Sequence, residues 1–164
     1  MLNLNQFKYL VFIYLNQMYM KHFLLVFSLL LAQFSFAQTD VKLVIKNLRK
    51  AEGNLSIEFY RNVENYTKGQ NAFKKLYVPI KDLDQFETTF KNIEETFYAV
   101  KVFVDTNANK VLDRSFLGVR KEPYGYSGET EPFLREPTFD EAKMKVTKQN
   151  NTITIELNNN KGEE

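Results

Sequence analysis

The sequence predicts an all-β protein, and three observations lead to that prediction. Apolar and polar residues alternate with a period of two in several short runs, as in strands that bury one face. Turn-forming residues separate those runs. Beyond residue 37, no stretch keeps a helical period long enough for a substantial amphipathic helix. An antiparallel β-sandwich of about seven strands fits this pattern.

The predicted strands are, in chain order, residues 41–46, 55–59, 76–80, 86–90, 97–104, 142–146 and 153–157. The first two flank a turn at 51–54 and are expected to pair as a hairpin. Pro79 predicts an edge position for the third strand, because proline cannot donate to the hydrogen-bond ladder. The run 97–104 is the most apolar and is expected at the centre of a sheet.

The first 37 residues have the pattern of an export signal. A basic pair at 21–22 precedes an apolar run at 23–31. That run is shorter than the about 20 apolar residues that a membrane-spanning helix needs. Ser35 and Ala37 are small residues where a signal peptidase reads them, which predicts cleavage before Gln38. The expected location is therefore the periplasm or the extracellular space.

The alternative interpretation of this region is an uncleaved membrane anchor, which a second apolar run at 9–15 favours. Polar residues between the two runs argue against one spanning helix. Translation starting at Met18 or Met20 instead of Met1 would produce an ordinary signal. The predicted organisation is an upstream extension with a cleavable signal at 1–37, a sandwich domain at 38–157 and a disordered tail at 158–164.

The composition of the exported part excludes several classes of function. Lys8 and Lys21 account for the net charge of +2, so the remaining 127 residues have equal numbers of basic and acidic side chains. They lack the excess of positive charge that is typical of nucleic-acid-binding domains. The chain has no cysteine or tryptophan, and its one histidine, His22, lies within the signal. Catalysis by Ser-His-Asp or Cys-His arrangements, and metal sites with His or Cys ligands, are therefore excluded from the sandwich domain.

The segment after the central strand has oxygen-bearing side chains at alternate positions. The candidate calcium ligands are Asp105, Asn107, Asn109, the Val111 carbonyl and Asp113, with Glu122 as a further donor. Two positions depart from the helix–loop–helix calcium motif: Lys110 stands in place of its glycine and Phe116 in place of its bidentate glutamate. The alternative is a plain turn, since Asp and Asn bond readily to their own backbone.

A second cluster, Glu122 with Tyr124 and Tyr126, is a candidate ligand-binding site. Tyrosines beside Gly125 can form an aromatic platform for a sugar ring or a partner protein. The alternative is that these rings cap one end of the core.

Adjacent acidic residues supply the alternative of a small secreted hydrolase acting on glycan or peptide through Asp and Glu. These pairs are Glu94 with Glu95, Glu129 with Glu131, and Asp140 with Glu141. Neighbours on a strand point to opposite faces, whereas a glycosidase needs two carboxyls facing one another.

Several of these motifs occur in an order that resembles a bacterial family of unknown function, numbered 2141. The run 98–102 is followed by the Asx loop at 105–113, by Gly118, by 122–127 and by 137–142. The resemblance implies exported proteins with an immunoglobulin-like or prealbumin-like sandwich and no assigned activity.

The expectation is a non-enzymatic module with a binding or structural role in the bacterial envelope. Calcium is the one cofactor that the sequence suggests. An unidentified protein or glycan is the expected partner, without nucleic acid and without stable membrane insertion once the signal is cleaved. The region 105–137 is the expected working surface, because long irregular segments are often functional.

Overall fold

The computed structural model describes residues 3–31, 38–129 and 135–158. The chain divides into two compact units, 1–36 and 37–164. The described residues of the first unit contain the helix α1 (Leu4–Leu31), which includes the apolar run at 23–31. Within the described residues, no helix has the length and apolar character that crossing a bilayer requires. Ser35, Ala37 and the predicted tail beyond residue 158 lie outside the described residues.

The described residues of the second unit form eight strands and two short helices. They are β1 (Gln38–Lys46), β2 (Gly53–Tyr60), α2 (Val63–Lys68), β3 (Lys74–Ile80), β4 (Phe86–Glu94), β5 (Phe97–Asp105), β6 (Tyr124–Tyr126), α3 (Phe139–Ala142), β7 (Lys143–Lys145) and β8 (Thr152–Glu156). One sheet has the order β4-β1-β8, and the other has the order β3-β2-β5-β6 with β7 also pairing with β5. The prediction of an all-β sandwich is confirmed.

The strand positions follow from the sequence pattern in two cases. β5, the most apolar run, lies between β2 and β6, as predicted for a central strand. β3, which carries Pro79, is an edge strand as predicted. β6 was not predicted, because three residues are too few to show an alternation.

The predicted hairpin between β1 and β2 is wrong. β1 pairs with β4 and β8, whereas β2 pairs with β3 and β5, so the turn after β1 passes between the sheets. Each of the two strands has one apolar face to bury. That face is buried equally well when the strands belong to two facing sheets and when they are neighbours in one sheet. The β1–β8 pairing is parallel and so departs from the antiparallel pattern of the other pairs.

The main core lies between the two sheets and includes Leu43, Ile45, Leu55, Ile57, Phe59, Val100, Val104 and Ile155. A smaller cluster joins Tyr60 and Ala99 to Tyr66 of α2 and Phe139 of α3. Tyr60 and Ala99 are each next to a main-core residue along their strand. Because successive side chains of a strand alternate between faces, Tyr60 and Ala99 point to the other face of the sheet. The two short helices therefore cover part of the outer face beside the segment 105–129.

Candidate functional site

The loop that leaves β5 is organised around the buried carboxylate of Asp105. Its Oδ2 accepts hydrogen bonds from the Tyr77 hydroxyl at 2.6 Å and the Lys110 backbone N–H at 2.7 Å, and its Oδ1 accepts one from the Asn109 N–H at 3.2 Å. Burial alone would raise the pKa of Asp105, but these hydrogen bonds outweigh it and lower the pKa below its usual 3.8. The loop therefore folds around a charged carboxylate at neutral pH.

The asparagine side chains of this loop bond to their neighbours. Asn107 Oδ1 accepts from the Asn109 N–H at 3.1 Å, and Asn109 Oδ1 accepts from the Val111 N–H at 2.8 Å. Both amide nitrogens donate to Asp113, at 2.6 and 3.0 Å. Each candidate side-chain ligand is thus hydrogen-bonded. Among the described residues, no three Asp, Glu, His or Cys side chains are grouped so that they would hold a metal ion.

The backbone at Lys110 has the conformation of the glycine that it replaces in the calcium motif. Its φ of 65° lies in the left-handed region, which glycine adopts at lower cost than lysine. The loop therefore keeps the backbone shape at the position where the residue type departs from the motif.

Glu122 lies against this loop, as its proposed role as an additional oxygen donor requires. The side chain is buried, and its Oε1 accepts from the backbone N–H and the hydroxyl of Thr106 at 2.8 and 3.0 Å. Its Oε2 accepts from the Asp113 N–H at 3.1 Å. Glu122 thus ties the start of the loop to its end.

A tight hairpin follows the loop, and the apolar side chains of this hairpin are exposed to solvent. Arg114 and Arg120 pair across it, and the Ser115 N–H donates to the Val119 carbonyl at 2.7 Å. Gly118 turns the chain with a φ of 80°. The three exposed side chains of this hairpin, Phe116, Leu117 and Val119, are called the apolar tip, and Phe116 is 97% exposed. The sequence analysis did not predict this tip, although the sequence shows a Phe-Leu-Gly run between charged residues.

The tyrosines of the second candidate cluster are held within the sheet. Tyr124 lies on β6 and is buried, and its backbone exchanges hydrogen bonds with Asn158 at 3.1 and 2.7 Å. The guanidinium of Arg120 lies 4.2 Å from the centroid of the Tyr124 ring and 5.6 Å from that of Tyr126. A sugar ring would have to displace Arg120 to stack on that face of Tyr124. Buried Glu122 likewise presents no surface to a ligand.

Glu136 joins two cations beside this cluster. Its Oε2 accepts from Lys101 Nζ at 2.9 Å, and its Oε1 contacts Arg114. Burial would raise the pKa of Glu136, but the Lys101 hydrogen bond and the nearby positive charges lower it. A cavity of about 420 Å³ opens here, lined in part by Lys101, Arg114, Tyr126 and Glu136.

Three carboxylates of the hydrolase alternative, those of Glu94, Asp140 and Glu141, contact cations. Glu94 lies 3.3 Å from Arg61, and Asp140 lies 2.5 Å from Lys143. Hydrogen bonds from Arg135 and Thr138 lower the pKa of Glu141 to about 2. Glu131 of the remaining pair lies outside the described residues.

The match to protein families decides the identity of the chain. A family model described as an uncharacterized protein conserved in bacteria, DUF2141, matches residues 43–154. The chain belongs to the DUF2141 family. The match begins in β1 and ends in β8, so this DUF2141 domain includes strands of both sheets, and the resemblance noted in the sequence is confirmed. No curated protein and no solved structure matches the chain.

Proposed function

We propose that this DUF2141 protein is a non-enzymatic binding module that presents the apolar tip to a partner protein. The carrying observation is that an ordered hairpin holds Phe116 97% exposed and Leu117 74% exposed. Contiguous exposed apolar side chains on a soluble domain commonly mark an interaction surface. Aromatic side chains in such positions act as anchors that enter a pocket of the partner.

The charges around the tip define the chemistry of the partner. Lys110, Arg114 and Lys121 flank it in the sequence, against the negative charges of Asp113 and of Glu136, which is ion-paired with Arg114. The complementary surface is an apolar pocket rimmed by acidic side chains.

A lipid surface fits the tip less well than a protein pocket. Burying one Phe and one Leu side chain contributes about 1.5–3 kcal/mol each. Their sum is about that of a single myristoyl chain, with a binding constant of about 10⁴ M⁻¹, which gives only reversible membrane contact. A protein pocket adds hydrogen bonds and charge pairs to the same apolar burial.

The hydrolase alternative has less support. The described carboxyl groups with a displaced pKa are Asp105, Glu136 and Glu141, and in each case the pKa is lowered. A carboxylic acid that acts as a general acid near neutral pH needs a raised pKa. The charged state of these groups suits structure and binding.

Export remains part of the proposal, on the strength of the signal pattern at residues 21–37. The expected N-terminus of the exported protein is Gln38, which N-terminal sequencing or intact mass determines. A species that keeps residues 23–31 in the membrane fraction would contradict it.

Site-specific photocrosslinking in the producing bacterium tests the role of the tip. A photoreactive phenylalanine analogue replaces Phe116 in one variant and Val63, which is exposed on α2, in the control. The expected result is a protein adduct at position 116 alone, identified by mass spectrometry. The purified partner should then bind wild type at least about 10-fold more tightly than Phe116→Ser. Val63→Ser should bind like wild type.

Two outcomes would overturn the proposal of a protein partner. Equal adducts at both positions would show that the tip is not a specific surface. Binding to anionic phosphatidylglycerol vesicles that Phe116→Ser abolishes, without a protein adduct, would make the membrane the partner.

We also propose that calcium binds weakly in the 105–113 loop. The support is the alternate spacing of oxygens, the left-handed backbone at Lys110 and the nearby carboxylate of Glu122. An ion must displace the amide hydrogen bonds to Asp113, so the expected dissociation constant is about 10⁻⁴–10⁻³ M.

Thermal melts in calcium and in excess chelator test the ion proposal. At ten times the dissociation constant, calcium should add about 1.4 kcal/mol. That corresponds to about 3–6 °C for a domain of this size. Asp113→Asn should lose the response, and Asp140→Asn, outside the loop, should keep it. Identical wild-type melts in both buffers would show that the loop is a plain turn.

A further inference from the structure

Arg120 is a buried cation with two unused hydrogen-bond donors. Its side chain is 6% exposed, and its Nε and Nη2 have no hydrogen-bond partner among the residues that the structure describes. Burial without a partner is costly for a charged group, because water no longer solvates it. The Tyr124 and Tyr126 rings offset part of this cost through cation–π contact.

The two unused donors lie on one edge of the guanidinium plane. Nε and Nη2 point their N–H bonds in parallel, and this fork matches the two oxygens of a carboxylate. The hydroxyl of Tyr126 is likewise buried without a hydrogen bond of ordinary geometry among the described residues, and the positive charge of Arg120 lies beside it. A carboxylate at this edge of Arg120 would pair with Nε and Nη2 and would also accept from the neighbouring Tyr126 hydroxyl.

The surrounding charge favours an anion there. Lys101, Arg114 and Arg120 contribute three positive charges against the one negative charge of Glu136, which already contacts Lys101 and Arg114. The cavity lined by Lys101, Arg114, Tyr126 and Glu136 gives a route to the Tyr126 side. Desolvation in this buried site costs a doubly charged phosphate more than a singly charged carboxylate.

We propose that Arg120 and Tyr126 form a binding site for a carboxylate-bearing ligand. The site lies at the base of the hairpin whose tip carries Phe116, but it uses different atoms from the proposed protein contact. A carboxylate ligand and a partner protein are therefore separable by substitution.

Thermal melts of the full chain test this site. They are compared in sodium acetate, sodium chloride and sodium phosphate, at equal ionic strength and neutral pH. Acetate at about 100 mM should raise the wild-type melting temperature above that in chloride by about 2–4 °C, through preferential binding to the folded state. Arg120→Met should lose this difference and in chloride should melt close to wild type, because it removes an uncompensated buried charge together with its cation–π contacts. Tyr126→Phe should reduce the response, and Arg49→Met, at an exposed position, should keep it.

A second variant and a direct readout distinguish loss of ligand binding from loss of the fold. Arg120→Lys keeps the charge but lacks the fork, and it should lose the acetate response. In wild type, acetate should shift the Arg120 Nε–H resonance with saturation, and Phe116→Ser should leave that shift unchanged. Equal wild-type melts in acetate and chloride without a resonance shift, or an acetate response that survives Arg120→Lys, would overturn the proposal. A stronger response to phosphate than to acetate would overturn the carboxylate assignment.

Discussion

Replacing Asp105 by asparagine tests whether one buried carboxylate organises the candidate site. The substitution keeps the shape but replaces one acceptor oxygen with an NH2 group, which cannot accept from a backbone N–H. The least costly orientation leaves the Asn109 N–H with Asn107 Oδ1 as its one remaining acceptor and weakens the bonds from Tyr77 and Lys110. A hydrogen bond to a charged group contributes about 1.5–3 kcal/mol, so the expected total loss is about 3 kcal/mol.

Far-UV circular dichroism melts measure this loss, which should lower the melting temperature by about 10 °C. Asp140→Asn is the matched control and should melt within about 2 °C of wild type, as surface substitutions usually do. Because folding lowers the pKa of Asp105, its stabilisation is complete above the ordinary value of 3.8 and is lost as the pH falls through the folded-state pKa. The gap between wild type and Asp105→Asn should therefore narrow below about pH 4. An Asp105→Asn protein that melts with wild type at neutral pH would refute this reasoning.

Two further substitutions test the packing that supports the segment 122–129. The buried Ser127 hydroxyl accepts from the Val100 N–H at 2.7 Å and donates to the Ala142 carbonyl at 2.6 Å, so Ser127→Ala should cost about 2–3 kcal/mol in urea unfolding. Gly128 has a φ of 93°, and a Cβ there would lie 2.2 Å from the Glu141 carbonyl oxygen, so Gly128→Ala should lower the free energy of unfolding by about 3 kcal/mol. Unfolding midpoints equal to that of wild type would contradict either expectation.

The sequence predicted the strands better than their partners, for a physical reason. Alternation along β2 shows that one face is buried, but not which sheet covers it. β1 and β2 both bury apolar faces, and their short connection allows a crossing between sheets as readily as a hairpin. The parallel partner of β1 is β8, more than 100 residues away in the sequence, and no local pattern specifies such a pairing.

Parts of the candidate site were local and therefore predictable. The Asx loop follows from residue spacing alone, and Glu122 was placed near it as an additional oxygen donor. In the structure Glu122 does meet the loop, through Thr106 and Asp113. The unpaired donors of Arg120 were not predictable from the sequence, because the tertiary fold determines which acceptors lie near the guanidinium.

The same network that folds the loop also fixes the apolar tip. Asp105 and Glu122 bind backbone N–H groups on both sides of the loop, and the Lys121 N–H closes the hairpin base on the Asp113 carbonyl at 2.9 Å. A tip held in this way loses little conformational entropy when it enters a pocket, which raises affinity without new contacts. Asp105→Asn leaves Phe116 unchanged, yet it should weaken partner binding by loosening the tip. A folded Asp105→Asn protein that binds the partner like wild type would show that the contacts of Phe116 alone determine affinity.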